Sequence, residues 1–262
     1  AVNAALGVLG AIGRPVVSAA RWLLEVGGMV AAVAVHATRG TTWRPTVRQA
    51  FVLAARDAIL GALPATLLLS LLVGLGLLYQ ALYWLEAAGQ ASMIGRVIVW
   101  VLVRELAPAL VALVLVGRSG AATLIRLSQM REGGQLRALD GQGIDPFLLL
   151  VLPRTLAFVL AMFTLSVLFV ATTMLSGFAA ATAIGVTQLS LPVFLADTLG
   201  TMGFGDFAIL PAKSVAIGLA IGVVCCHTAL AREREPASVV AIGFVRAAMA
   251  VFAISGIVSM AL

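Results

Sequence analysis

Long apolar runs, interrupted by charge at only a few points, set the pattern of this chain. From Ala58 to Leu85 there is no charged residue, and the run is long enough to cross a bilayer as one helix. Pro64 lies inside it, where neighbouring helices can satisfy the freed carbonyl. Tyr79, Tyr83 and Trp84 close the run as an aromatic belt would. Gly89 to Gly95 predicts a short loop, and Val97 to Gly117 a second span with Arg104 and Glu105 near its middle. A polar stretch from Gly117 to Arg154 follows. Thr155 to Ala196 is again uncharged and predicts a third span to about Gly177, then a less regular segment carrying Asp197 and Asp206. A fourth span is predicted over Phe207 to Ala231, a tight polar turn at 232–236, and a last span from Ala237 to Leu262 with Arg246 inside it.

Residues 1–56 are mixed. Arg21 and Glu25 sit one helical turn apart among Val17, Trp22, Leu24, Val26, Met29 and Val30. The pattern predicts a helix lying in the membrane interface, with Trp22 at headgroup depth. A full span is the competing reading, since Val26 to Ala37 is apolar for only about half a bilayer. Arg39, Gly40, Arg44 and Pro45 then break the helix. Arg14, Pro15 and Arg21 interrupt the N-terminal run, so it shows no cleavable signal-peptide pattern.

Composition turns this pattern into a class. The chain has 262 residues, 62% of them hydrophobic and 11% charged. A water-soluble domain needs about a quarter of its residues charged. The expected fold is therefore an all-α integral membrane protein, with an N-terminal interfacial helix and five transmembrane helices. A β-barrel would show short alternating segments instead. The 26 glycines suit helices packed closely through small side chains. Net charge is +6, which in a soluble protein would suggest nucleic acid. Here the positive-inside rule accounts for it. Of the 17 basic residues, only Arg96 and Lys213 fall on the far side of the predicted topology, and Arg104 and Arg246 lie within spans. The N-terminus and the central charged stretch are thus expected in the cytoplasm.

Arg104 and Glu105 are the costliest residues in this plan. Ionisable groups at membrane depth cost several kcal/mol unless they are paired or face water. Adjacent residues diverge by about 100° around a helix, so the two are poorly placed to pair with each other. One reading is a polar lining for the headgroup of an amphiphile; the other is a structural interhelical ion pair, with Arg246 as a candidate partner. Pro108 can break the local helix and would then require a cavity for the exposed backbone. In the charged stretch, Gly133 and Gly134 form a flexible break after Met130, Arg131 and Glu132. Gln135 follows them. Leu136 and Leu139 share one helical face, with Arg137 and Asp140 off it, which predicts a short amphipathic helix along the membrane. It either docks on a cytosolic partner or is a solvated loop. Asp145 and Pro146 fit the entry to the third span.

Other chemistry is excluded. Cys225 and Cys226 are adjacent in an apolar run and suggest no structural disulfide. With His36 and His227 they lack further ligands at metal-site spacing, so no metal is expected. No phosphate-binding GxxxxGK[ST], GxSxG or HExxH pattern is present, so the chain hydrolyses no ATP by itself. A proton-coupled carrier needs a relay of acids, and Glu105 is the only acid well inside a predicted span.

Taken together, Arg104-Glu105-Leu106-x-Pro108, Gly117-Arg118-x-Gly120-x-Ala122, Met130-Arg131, Gln135-Leu136-x-Ala138-Leu139 and Ile144-Asp145-Pro146-x(6)-Pro153-Arg154 resemble the MlaE (YrbE) permease family. This family forms the membrane subunit of ABC-type lipid transporters that work with MCE proteins. Val47-Arg48-Gln49 and Lys213-Ser214 also fit. The resemblance implies a single permease domain over 1–262: an interfacial region 1–56, spans 57–117, a cytoplasmic coupling loop 118–146 and spans 147–262. It implies a multi-pass protein of the bacterial inner membrane, paired with a second permease copy or a paralogue. A cytoplasmic ABC ATPase, carrying ATP and Mg, would bind Met130, Arg131, Glu132, Gln135, Leu136, Arg137 and Leu139. A periplasmic MCE protein would complete the complex. Phospholipid would bind near Arg104, Glu105, Pro108 and Arg246, with Gly117, Arg118, Gly120, Asp145, Pro146 and Arg154 as structural motif residues. The chain departs from the family pattern at Gly133-Gly134, where Thr-Glu is common, and at Gln142, where Met is usual. The last turn lacks most of the usual Gly-Ala…Val-Gly pattern, and the last span shows no acid near Ala253 to Gly256. A scaffold subunit that transports nothing is the competing function, but it has no need of charge at membrane depth.

Overall fold

A computed structural model describes residues 2–87, 89, 98–183, 185, 190–231 and 236–261. All the regular elements among them are helical. We number the helices α1 (Val2–Thr38), α2 (Pro45–Val73), α3 (Tyr79–Ala87), α4 (Ala107–Leu115), α5 (Ala121–Glu132), α6 (Gln135–Gly141), α7 (Leu152–Ala183), α8 (Leu191–Gly200), α9 (Phe204–Leu230) and α10 (Pro236–Ala261). Wider π-type turns run directly into them: Gly74–Leu78 joins α2 to α3, Ile98–Leu106 leads into α4, Val116–Gly120 joins α4 to α5, and Phe147–Val151 leads into α7.

Six stretches are long and apolar enough to cross a membrane: Val17–Thr38, Pro45–Ala81, Val99–Glu132, Phe147–Ala183, Gly205–Leu230 and Ser238–Met260. Five correspond to the expected spans. The sixth lies within α1, one uninterrupted helix of 37 residues, where an interfacial helix is expected; its length and composition alone would also allow a crossing. Its break comes where predicted, in the turn Gly40–Thr42, after which Pro45 starts α2 at a first-turn position that needs no N–H donor. The second span differs. It does not end at Gly117 but continues as helix to Glu132, because Gly117 and Gly120 sit inside a wide turn rather than ending the ladder. The third span runs on to Ala183, and the segment expected to be less regular contains α8. The predicted loop over 90–95 and the polar residues 232–235 lie outside the described residues.

Helices α7 and α9 form the centre. Phe158, Met162, Leu165 and Phe169 of α7 and Ile217, Ile221, Cys225 and Cys226 of α9 are buried in the same apolar cluster. The two backbones approach very closely. A Cβ at Gly218 would lie 2.6 Å from Val159 Cα, and one at Gly222 would lie 2.7 Å from Thr155 Cα. Two glycines one turn apart are therefore what allows this contact, the small-residue packing of membrane helices. Around this centre, α2 packs on α7, where Thr173 Oγ1 donates to Ser70 O at 3.1 Å. Helix α1 lies outermost, seating Val26, Met29 and Val33 against Leu152 and Val223. Large apolar side chains such as Leu68, Leu72, Met249, Phe252 and Ile257 remain exposed, as expected of a surface that meets lipid rather than water.

Candidate polar site at the far end of the second span

Arg104 and Glu105 lie in the wide turn Ile98–Leu106, near one end of a helix that continues to Glu132. Within the described stretch 98–132 they are the seventh and eighth residues, and the helix runs on past Gly117, where the second span is expected to end. The diverging directions expected for neighbours are realised by different partners. Arg104 Nε lies 3.3 Å from Asp206 Oδ1, and its guanidinium sits 4.9 Å from the Trp100 ring centroid, one turn back. Asp206 is in the first turn of α9, and its other oxygen accepts the Gly203 N–H at 2.9 Å. One carboxylate thus caps a helix N-terminus and holds an arginine.

Glu105 is held by Lys213, which donates from Nζ to Oε1 at 2.8 Å. Lys213 is completely buried, within α9. Its Nζ also donates to Arg104 O at 2.6 Å. Pro108 explains this second bond. It has no N–H to give the carbonyl one turn before it, so the Arg104 carbonyl is left without its helical donor. The ammonium takes that place. The helix is not broken at Pro108, which is buried, and no cavity is needed there. Ser259 Oγ, near the end of α10, lies 2.6 Å from Glu105 Oε1 and 2.7 Å from Ser255 O. Three helical segments therefore converge on one carboxylate whose side chain is still 50% exposed.

Arg246 does not join this group. Its guanidinium lies 5.5 Å from the Trp22 ring centroid, at the α1 contact. It is 13 residues from Ser259 along α10, about 20 Å of helix. Glu25 likewise does not pair with Arg21 within its own helix. Its Oε2 lies 2.9 Å from His227 Nε2, which ties α1 to α9. His36 Nδ1 lies 2.8 Å from Ala32 O, within α1. Lys213, Asp206 and Ser259 escape the sequence reading as members of the site. Lys213 carried a signal: although expected at the far side, it falls within the Phe207 to Ala231 range of the predicted fourth span, where a cation requires an anion at similar depth.

The charged stretch forms the opposite end, with Arg131 about 40 Å of helix from Glu105. Gly133 ends α5, and Gly134, at φ +71°, starts α6 in the left-handed region that glycine tolerates. In α6, Leu136 and Leu139 are half-buried, while Gln135, Arg137 and Asp140 are exposed. Met130 packs on the main apolar cluster. Arg131 Nη1 donates to the Ala231 carbonyl at the end of α9, and Nη2 lies 3.6 Å from the exposed Glu132. Asp145 Oδ1 accepts the Phe147 N–H at 2.9 Å, starting the next span with Pro146 in its first turn. About midway between Glu105 and Arg131, Ser119 Oγ donates to Ala58 O at 2.9 Å and Arg118 Nε to Gly61 O at 3.3 Å, fixing Gly117–Gly120 against α2. Arg154 lies beside them in the first turns of α7.

The model for the family described as permease MlaE matches residues 51–261. The intermembrane phospholipid transport system permease protein MlaE of Haemophilus influenzae is 32% identical over 131 residues, covering 49% of this chain and 50% of that protein. A probable ABC transporter permease of Pyropia yezoensis is 27% identical over 172 residues, 65% of this chain and 64% of that one. The chloroplastic protein TRIGALACTOSYLDIACYLGLYCEROL 1 of Arabidopsis thaliana is 27% identical over 184 residues, 70% of this chain and 51% of that one. The chain thus aligns with about half to two thirds of the length of these relatives. The family match takes in both the Glu105 group and the charged stretch around α6, and the chain belongs to the MlaE permease family.

Proposed function

We propose that this chain is the permease subunit of an ABC-type transporter that moves phospholipid between the inner membrane and a periplasmic MCE protein. A separate cytoplasmic ATPase supplies the energy. The observation that supports it best is the Glu105–Lys213–Ser259 group. A half-exposed carboxylate held at a span's end by a buried ammonium offers a polar contact to a lipid headgroup. The name of the Haemophilus relative supplies phospholipid as the substrate class. The exposed face of α6, beyond the Gly133-Gly134 break, is the surface for the ATPase; with α1 lying in the interface, the positive-inside rule favours a cytoplasmic N-terminus as well. Two permease chains would enclose the lipid between them.

The test is lipid transfer by the assembled complex, reconstituted with its ATPase and MCE partner, using Glu105→Gln. Glutamine keeps an oxygen acceptor for Lys213 and removes the charge. Transfer should fall at least ten-fold while the subunits co-purify as before. Unchanged transfer would favour the scaffold reading, in which the charged group only holds helices together. Loss of co-purification would assign the group to assembly.

A further inference from the structure

A cavity of about 730 Å³ opens between α2, α5 and α7, on the α6 side of Glu105, with Arg118 and Arg126 about 20 and 30 Å of helix from it. Its wall carries Arg118, Arg126 and Arg154 against a single acid, Asp57. The donors outnumber their acceptors. Arg126 Nη1 reaches Asp57 Oδ2 at 2.7 Å. Arg118 spends Nε on Gly61 O, which leaves most of its five donors. Arg154 Nη1 is buried with no hydrogen-bond acceptor among the described residues. A buried guanidinium N–H without a partner is costly, and an anion in the cavity would remove that cost. The rest of the wall is small or apolar: Ala58, Ala122 and Phe158 leave room, and Leu60 and Ile125 are exposed at 53% and 44%.

We propose that this cavity binds the phosphodiester headgroup of an anionic phospholipid, from the leaflet on the side of α6, separately from the Glu105 group. The chemistry is a phosphate oxygen set received by Arg118 and Arg154, with Arg126 at the rim beside Asp57. Guanidinium forks match phosphate geometry with paired hydrogen bonds. The space exceeds what a bare phosphate fills, and the exposed Leu60 and Ile125 give acyl chains an apolar path away from the headgroup. Basic pockets between spans on the cytoplasmic side are suited to such lipids. The inference needs only that the chain sits in a membrane, and it stands whether or not the chain transports lipid.

The experiment is native mass spectrometry of the detergent-solubilised full chain titrated with palmitoyl-oleoyl phosphatidylglycerol. Dioleoylglycerol serves as the phosphate-free control and inorganic phosphate as competitor. Phosphatidylglycerol should be retained where dioleoylglycerol is not, and inorganic phosphate at equal concentration should leave it bound. Arg118→Gln/Arg154→Gln should bind it about ten-fold more weakly or worse, as expected for losing charge-assisted hydrogen bonds. Glu105→Gln should keep this lipid. Equal retention of dioleoylglycerol overturns the headgroup assignment, and displacement by inorganic phosphate makes it a free-anion site. Unaltered binding by the double variant overturns the residue assignment, and loss of the same lipid in Glu105→Gln overturns the separateness of the two sites. If the double variant fails to fold, the wild-type comparisons and the exposed Arg118→Gln alone decide the matter.

Discussion

Replacing Lys213 with methionine isolates the energetics of the polar group. Methionine is close in length and apolar, so it fills the buried space without a cavity. Two hydrogen bonds vanish, those to Arg104 O and to Glu105 Oε1. The carbonyl is the harsher loss. With Pro108 already denying it a helical donor, it is left unsatisfied, at a cost of about 1–3 kcal/mol. Glu105 is half-exposed and can regain water, so its share is discounted to about 1 kcal/mol or less. The sum is about 1–4 kcal/mol, with a midpoint of about 2.5 kcal/mol. Removing Glu105 instead leaves the buried Lys213 ammonium with the Arg104 carbonyl as its remaining partner, and the roughly 3–5 kcal/mol for breaking a fully buried pair is an upper bound here because Glu105 is half-exposed. The double variant should cost less than the sum of Glu105→Ala and Lys213→Met. Cys225 and Cys226 make the assay convenient, since both are fully buried and become reactive to a thiol-labelling fluorophore only on unfolding. At about 2–4 °C per kcal/mol for a chain of this size, Lys213→Met should lower the Tm by roughly 5–10 °C. A Tm equal to that of the wild type, or additive effects in the double variant, would refute the account of Lys213 as the donor replacing the one Pro108 lacks.

Other consequences can be checked on the same material. Pro108→Ala restores an N–H one turn after Arg104 and should recover about 1 kcal/mol of stability in the Lys213→Met background, read as a partial rise in Tm. Gly218→Val puts side-chain atoms where Val159 Cα lies 2.6 Å from a Cβ position. It should destabilise by more than about 3 kcal/mol, since backbone cannot yield as side chains do, and the detergent-purified yield of folded chain should fall sharply. Gly134→Ala forces a β-carbon into the left-handed region at a cost of about 1 kcal/mol. The proposed function predicts that it weakens ATPase binding in pull-down more than it lowers the Tm.

The spans were legible in the sequence because absence of charge over a bilayer's length is a strong signal with one physical meaning. Their ends were not. Gly117 and Gly120 look like breakers in one dimension, yet the backbone carries a helix through them because α2 receives Arg118 and Ser119 side chains on its carbonyls. Likewise the sequence sets Glu25 one turn from Arg21, but the partner that packing gives it is His227 of α9. The polar site was half legible. Two charges inside a span announced themselves as costly, and their inability to pair with each other followed from helical geometry. Their partners did not follow, because Lys213 and Ser259 are more than a hundred residues away and only the packing of α4, α9 and α10 brings them to Glu105. The choice of Arg246 failed for the same reason: a charge in a span has to be paired, but pattern alone says nothing of which helix end it faces.

The arrangement of two helices joins the proposed lipid end to the proposed ATPase end. The helix from Ile98 to Glu132 is about 50 Å long at 1.5 Å per residue, and it carries Glu105 at one end and Arg131 at the other. Helix α9 runs beside it in the same direction. The pair is pinned twice, by Lys213 on Glu105 and Arg104 O at one end and by Arg131 on the Ala231 carbonyl at the other. A helix pinned to its neighbour near both ends cannot shift along it without breaking one contact. In the proposed transporter, a push on α6 would reach α5 across the Gly133-Gly134 break, and Arg131 would pass it to α9. The Lys213–Glu105 bond then either moves with both helices or gives way. Its partial exposure makes it the weaker pin, since water can replace what Lys213 supplies to Glu105 but not what Arg131 supplies inside the packed end. The contact that yields first is therefore the one at the proposed headgroup site, where a changed carboxylate environment would alter the hold on a lipid.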